Sequence, residues 1–378
     1  MQNIRDLISY VYEACHSEEN QKKVNNKSNV KLIVGIGRPV FADVLGFSML
    51  DYYKNPEVCL ESQLKWKLFC HNEIKDDTPI DLLAGLDYSN ALEPTFFGVE
   101  SIFSEKKDPT YKHAIINEPE DLDNLQLPDF YKSGLMPDVH RFYENMNDLA
   151  GDKLKIFFPG WARGPWSIGT ILRGFNEILI DTKESPEFVH KLMQFTVDAR
   201  IHFEEERCKF LKINPTDKSY LWKYVTYRSN TSSDLFEDEV DGGVFSKETF
   251  SEFIVPYVKK LGEFYNGISY YHSCGNLTPF LPDLALSNIE SVIHISPWTD
   301  MKKAVEIMPE SITLQKSLHP FNDVAEADEE WMKKNLSNII EEAKGHKLEI
   351  WADGLYSGSW NTVNKAKKLV EIFREITG

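Results

Sequence analysis

Two hydrophobic rhythms alternate along this chain, and the alternation predicts the architecture. Short apolar runs bounded by glycine, proline or polar turns read as buried strands. They are Lys31 to Gly35 (KLIVG), Leu154 to Phe158 (LKIFF), Tyr220 to Thr226, Ile268 to His272 (ISYYH), Ser291 to Ile295 (SVIHI), Ile312 to Lys316 (ITLQK) and Leu348 to Ala352 (LEIWA). Between them lie longer stretches with apolar positions at helical spacing. These are residues 1 to 23, Asn55 to Phe69, the segment after the loop Pro159 to Trp166 as far as Arg173, Pro186 to Leu211, Glu248 to Tyr265, Asp328 to Lys344 and Asn361 to Ile376.

Strands that are apolar throughout and separated by helices imply parallel pairing with both sheet faces covered. Four such strands follow one another closely after residue 260, which favours a closed barrel over an open sheet. No low-complexity linker divides the chain. The expected fold is therefore α/β, a (β/α)8 TIM barrel in one domain over 1–378, with residues 1–25 as an N-terminal helical extension.

Composition narrows the function. Of the 378 residues, 42% are hydrophobic and 27% charged, a globular balance with ample material for a barrel core. The formal net charge of −17, with no basic stripe, excludes a nucleic-acid partner. No apolar run approaches the ~20 residues of a membrane helix, so no membrane partner is expected. Cys15, Cys59, Cys70, Cys208 and Cys274 are scattered, odd in number and without a CxxC pair, unlike a disulfide framework. Met1 to Cys15 is a mixed amphipathic stretch carrying Arg5, Asp6 and Glu13, unlike a signal peptide. A cytoplasmic, reducing location follows as the expectation.

Reactive residues of a parallel barrel sit where strands end. Three ends carry chemistry: His272-Ser273-Cys274-Gly275-Asn276, Trp351-Ala352-Asp353-Gly354, and the acidic run Glu237 to Asp241. His272 and Cys274 are two apart, so on an extended strand end both side chains face the same way. An imidazole and a thiolate converging there suit zinc. A third donor must come from another strand end, and Asp353 and Glu239 are the available carboxylates. Taken alone, an HxC pair is more often a packing feature than a metal site, and an acidic run is more often a solvated loop.

The segment Tyr270 to Asp283, YYHSCGNLTPFLPD, resembles the HxCGN-type strand end of methyltransferases in the uroporphyrinogen decarboxylase superfamily. Glu248 to Leu261 (ETFSEFIVPYVKKL), Pro159 to Gly174 (PGWARGPWSIGTILRG) and Ser185 to Met193 (SPEFVHKLM) resemble the family's other stretches, in the same order. Two departures matter. Porphyrinogen decarboxylases carry an Arg-rich RQAGRY-type segment near the N-terminus, whereas Gly35 to Gly46 (GIGRPVFADVLG) holds only Arg38. The family's zinc methyltransferases add a Cys at the C-terminal strand end, where this chain has Asp353 and no Cys follows Cys274.

The resemblance implies an enzyme of the corrinoid-dependent, O-demethylase methyltransferase type. It would move a methyl group from a small methylated, methoxylated aromatic substrate to the cobalt of a separate corrinoid protein. Zinc would be held by His272, Cys274 and Asp353 or Glu239. No cobalamin-binding loop occurs in the chain, so methylcobalamin or a related corrinoid is expected on a partner protein, and a second copy of the chain is counted among candidate partners. Transfer from methyl-corrinoid to a thiol, or a decarboxylase-like protein with a degenerate site, are the alternatives. The substrate pocket is expected from Trp161, Arg163, Trp166, Trp222, Tyr224, Tyr227, Tyr271 and Tyr356, with His294, Ser296, Lys316 and His319 around it.

Overall fold

A computed structural model describes residues 3–86, 88–112, 114–214 and 233–378. Eight parallel strands form the staves of a (β/α)8 barrel: β1 Val30–Ile36, β2 Leu83–Ala84, β3 Lys155–Ile156, β4 Asp234–Phe236, β5 Ile268–His272, β6 Ile289–Ile295, β7 Thr313–Ser317 and β8 Leu348–Leu355. A continuous six-stranded sheet runs β1-β8-β7-β6-β5-β4, and β2 pairs with β3. Beyond β3 the chain continues to Ala162 and Gly164, which exchange backbone hydrogen bonds with Phe236 at 2.9 and 2.7 Å and so join the two sheets. A two-stranded hairpin, Ser101–Ile102 with Thr110–Tyr111, stands apart from the wall.

The observed elements follow the hydrophobic pattern closely where the pattern is long. The helix Pro186–Leu211 coincides with the expected one, and Ile268–His272 is a strand over the residues anticipated. Local chemistry cuts two expected helices in half. Ser17 breaks the N-terminal stretch into Ile4–His16 and Glu18–Val24, its hydroxyl accepting the Asn20 N–H as a helix cap. Pro256 lacks an N–H and forces a new first turn, giving Lys247–Phe253 and Val255–Tyr265. Just past β1 the helix Arg38–Leu45 opens, with Pro39 tolerated in its first turn. Leu7, Ile8 and Val11 of the N-terminal helix are buried with the core.

The strand expected at Tyr220 to Thr226 lies outside the described residues. The stave beside β5 is Asp234–Phe236, which was not anticipated. It is three residues long, too short for an alternation to register in a sequence. Among the described residues, no helix is long and apolar enough to cross a membrane.

Candidate metal centre

Strand alternation selects what faces the barrel interior. On β5, Tyr270 and His272 point inward. The Tyr270 hydroxyl donates to Gln315 Oε1 at 2.6 Å, and its ring lies 5.4 Å from that of Phe236 on β4. Tyr271, between them, is fully buried on the other side of the strand. The His272 ring stacks on His294 of β6 at 4.1 Å, and Trp351 of β8 closes the floor edge-on to both.

His294 is a fixed support. Its Nδ1 lies 2.7 Å from the Ser273 carbonyl oxygen, which accepts only, so Nδ1 carries the proton. Burial and the neighbouring His272 hold His294 well below the ordinary histidine range, and its ring is neutral. The bond also pins Ser273, the residue between His272 and Cys274.

The acidic run after β4 divides its labour by the same alternation. Phe236 faces inward, so Asp238 does too, while Glu237 and Glu239 turn to the helix Pro165–Arg173. Glu237 is fully buried and accepts the Trp166 and Ser167 N–H groups at 3.2 and 2.8 Å, satisfying that helix's open N-terminal donors. Burial pushes the Glu237 carboxyl up to about 8, against the pull of those two N–H groups. Glu239 accepts the Ser167 hydroxyl and lies 3.5 Å from the Arg163 guanidinium. Burial keeps its carboxyl above the usual range, partly offset by Arg163.

Asp238 turns to β5. Its Oδ1 is 2.7 Å from His272 Nδ1 and 3.6 Å from Cys274 Sγ, and one donor atom from each residue lies within 4.8 Å of the others. The 2.7 Å approach lacks hydrogen-bond direction: buried Nδ1 has no hydrogen-bond partner. The three atoms are near enough to one another to share one cation. The donor set of imidazole nitrogen, thiolate sulfur and carboxylate oxygen fits zinc.

Above the three donors lies a cavity of about 440 Å³, lined by Arg163, Asp238, His272, Cys274, Asp353 and Tyr356 among others. The expected His272 and Cys274 thus come together. The carboxylate placed against them is Asp238, absent from the expected set. Glu239 is engaged with Arg163 and Ser167, and Asp353 lines the same cavity, on the inward side of β8 with Trp351. The clue available in the sequence was parity with Phe236, invisible until β4 is located.

The expected pocket residues divide. Arg163 and Tyr356 line the cavity, although Arg163 is buried and already faces Asp238 and Glu239 at 3.9 and 3.5 Å. Trp161 and Trp166 take core positions instead: Trp161 packs on Phe96, Phe97 and Phe203, and Trp166 on Phe245. Their large rings are fully shielded by the helical layer. Tyr271 is directed away from the cavity for the parity reason given above. Trp222, Tyr224 and Tyr227 lie outside the described residues. His294 and His319 line the cavity. Ser296 and Lys316 tie its rim instead: the Ser296 hydroxyl donates to the Gly275 carbonyl, and the Lys316 ammonium to the Ser296 and Thr299 carbonyls.

The sequence profile described as uroporphyrinogen decarboxylase (URO-D) matches residues 41–209 and 233–354. The fold is similar to that of a methyltransferase from Methanosarcina mazei, with a TM-score of 0.65 at 17% identity. That match covers 98% of this chain and 99% of the other. No curated protein matches the chain.

Proposed function

The chain belongs to the uroporphyrinogen decarboxylase family, and from that premise we propose that it is a zinc-dependent methyltransferase. In this reading it takes a methyl group from a small methoxylated aromatic and delivers it to the cobalt of a separate corrinoid protein. The observation that carries the reading is the convergence of Asp238, His272 and Cys274 on one point at the barrel mouth. A porphyrinogen decarboxylase has no use for a thiol and an imidazole so disposed, and Arg38, the sole arginine of its segment, is paired with Asp108 at 2.7 Å.

Asp238, His272 and Cys274 would hold the zinc, leaving a position for substrate as catalytic zinc sites do. When bound, the metal supplies Lewis acidity toward an ether oxygen. The protein's own groups do the rest. Arg163 lies 3.9 Å from Asp238 and orients its carboxylate. His294 locks the backbone between His272 and Cys274. The cavity has room for a substituted ring, and its opening at the mouth leaves the methyl carbon accessible to a docked partner. The electron balance is that of a displacement: cobalt(I) provides the pair for the new C–Co bond, the C–O pair stays on oxygen, and a proton from solvent yields the phenol.

The test is metal content followed by turnover. The purified protein is expected to carry zinc, and with 2-methoxyphenol to convert free cob(I)alamin to methylcobalamin, followed by absorbance. Methylation of a thiol from methylcobalamin, with no reaction of the methoxyarene, would select the acceptor-side alternative. A protein that binds no zinc and turns over neither would end the methyltransferase reading.

A further inference from the structure

Between β1 and β2 the barrel wall is a seam rather than a ladder. β2 pairs with β3 and not with β1. Beside β1 runs the segment that precedes β2: the Leu32 and Val34 N–H groups donate to the carboxylates of Asp77 and Asp76 at 2.8 Å each, and the Asp77 N–H donates back to the Leu32 carbonyl at 3.0 Å. Behind the seam the helix Pro56–Phe69 ends in a π-turn, Cys70–Ile74, which widens the backbone locally. The space between holds a second cavity of about 280 Å³.

Its walls are aromatic: Phe41, Tyr52, Trp66, Phe157 and Tyr356. Two glycines admit these rings. A Cβ on Gly85 would fall 2.7 Å from the Phe157 ring, and one on Gly37 would collide with Tyr356. The charges of the wall are spoken for. Lys67 pairs with Asp81 at 2.6 Å and Arg38 with Asp108 at 2.7 Å. Asp76 accepts from Val34 and from both the N–H and the hydroxyl of Thr78. A charged ligand would have to break one of these pairs, whereas a flat uncharged ring displaces only water. His71 is a buried wall residue. An apolar cavity of about 150 Å³ accommodates benzene, so the larger volume suits two fused rings.

We propose that this seam cavity is a binding site for an uncharged, planar aromatic ligand of up to two rings, separate from the Asp238–His272–Cys274 centre. Arg38 and Tyr356 line both cavities, so occupancy of the seam borders the reaction chamber without entering it. The proposal stands whether or not the centre binds zinc.

The test uses the whole chain and 2-naphthol, with binding read by Trp fluorescence and calorimetry. Saturable one-to-one binding is expected, unchanged in His272→Ala. It should weaken by about tenfold or more, roughly 1.4 kcal/mol, in Leu83→Trp and in Thr78→Phe, each of which places bulk in the seam. A crystal soaked with 6-bromo-2-naphthol gives the answer without any variant: the bromine anomalous peak is expected in the seam cavity, within contact of Trp66. A bromine found only above His272, or equal affinity for naphthalene-2-sulfonate, overturns the proposal. So does an absence of saturable binding to the folded wild-type protein.

Discussion

His272 Nδ1 and Asp238 Oδ1 stand 2.7 Å apart without forming a hydrogen bond. Thirty-four positions separate them in sequence, and they meet because β4 and β5 are neighbouring staves whose inward residues share one level of the barrel: Phe236 is in register with His272. One residue past that register the backbone still pairs, the Glu237 N–H donating to the His272 carbonyl at 2.8 Å. Asp238 therefore leaves the wall just above His272, on the side from which Cys274 returns.

The first prediction concerns which carboxylate binds. Asp238→Ala, His272→Ala and Cys274→Ala should each lower zinc affinity by more than the roughly 10–100-fold that outer-shell partners cost. Glu239→Ala and Asp353→Ala should stay within that range. Zinc stoichiometry after dialysis against a graded chelator series measures all five. If Asp353→Ala loses zinc while Asp238→Ala keeps it, the ligand set is misassigned.

Arg163 carries the second prediction. Its buried guanidinium lies between Asp238 at 3.9 Å and Glu239 at 3.5 Å. Removing it leaves two neighbouring carboxylates without their cation, and breaking a buried pair costs about 3–5 kcal/mol. Both carboxylates keep some solvent contact, so the lower end applies. Arg163→Met should show that loss in urea unfolding of the metal-free protein, with zinc restoring part of it because the ion replaces the missing charge. Equal destabilisation with and without zinc would sever Arg163 from the centre.

How much of this was written openly in the sequence depends on length scale. Pro186–Leu211 spans seven turns of helix and declares its period, and Ile268–His272 stands between clear turn signals. His272 and Cys274 were legible because they are two apart where β5 ends. The third was not, because its direction depends on β4, which has three residues and no periodicity of its own. The aromatic residues failed for a related reason: Trp161 and Trp166 sit near a strand end, but proximity to the mouth says nothing about which way a side chain turns. Burial of Trp166 against Phe245 is a tertiary fact.

A buried carboxyl deeper in the barrel makes the third prediction. Glu349 accepts from Gln315 Nε2 at 3.0 Å, and burial pushes its carboxyl up to about 6. A raised acid binds its proton more tightly when folded, so its contribution to stability is intact below about 4.5. It is lost as pH rises through about 6. The deficit at neutral pH is roughly 2 kcal/mol. Glu349→Gln mimics the protonated form and keeps the acceptor for Gln315. Its melting temperature should exceed the wild type's at pH 8, with the gap closing at pH 4. A gap independent of pH would assign the effect to packing.

The last prediction tests whether the acidic run is positioned as a unit. Gly164 caps the helix Pro165–Arg173, and the Glu237 carboxyl lies where a Cβ on Gly164 would be. Its φ of −74° is ordinary for any residue, so the demand for glycine here is purely one of space. Gly164→Ala must push Glu237 off the Trp166 and Ser167 N–H groups, a strain of about 1–3 kcal/mol. Since Asp238 follows Glu237 directly, the displacement should reach the centre and weaken zinc binding as well as stability. Glu237→Ala in the same background removes the colliding group. If the clash is the cause, the double variant should be no less stable than Glu237→Ala alone, a non-additive result that calorimetry of the four proteins would reveal. Simple additivity would mean that Gly164 and Glu237 act separately, and that the helix cap does not hold Asp238 in place.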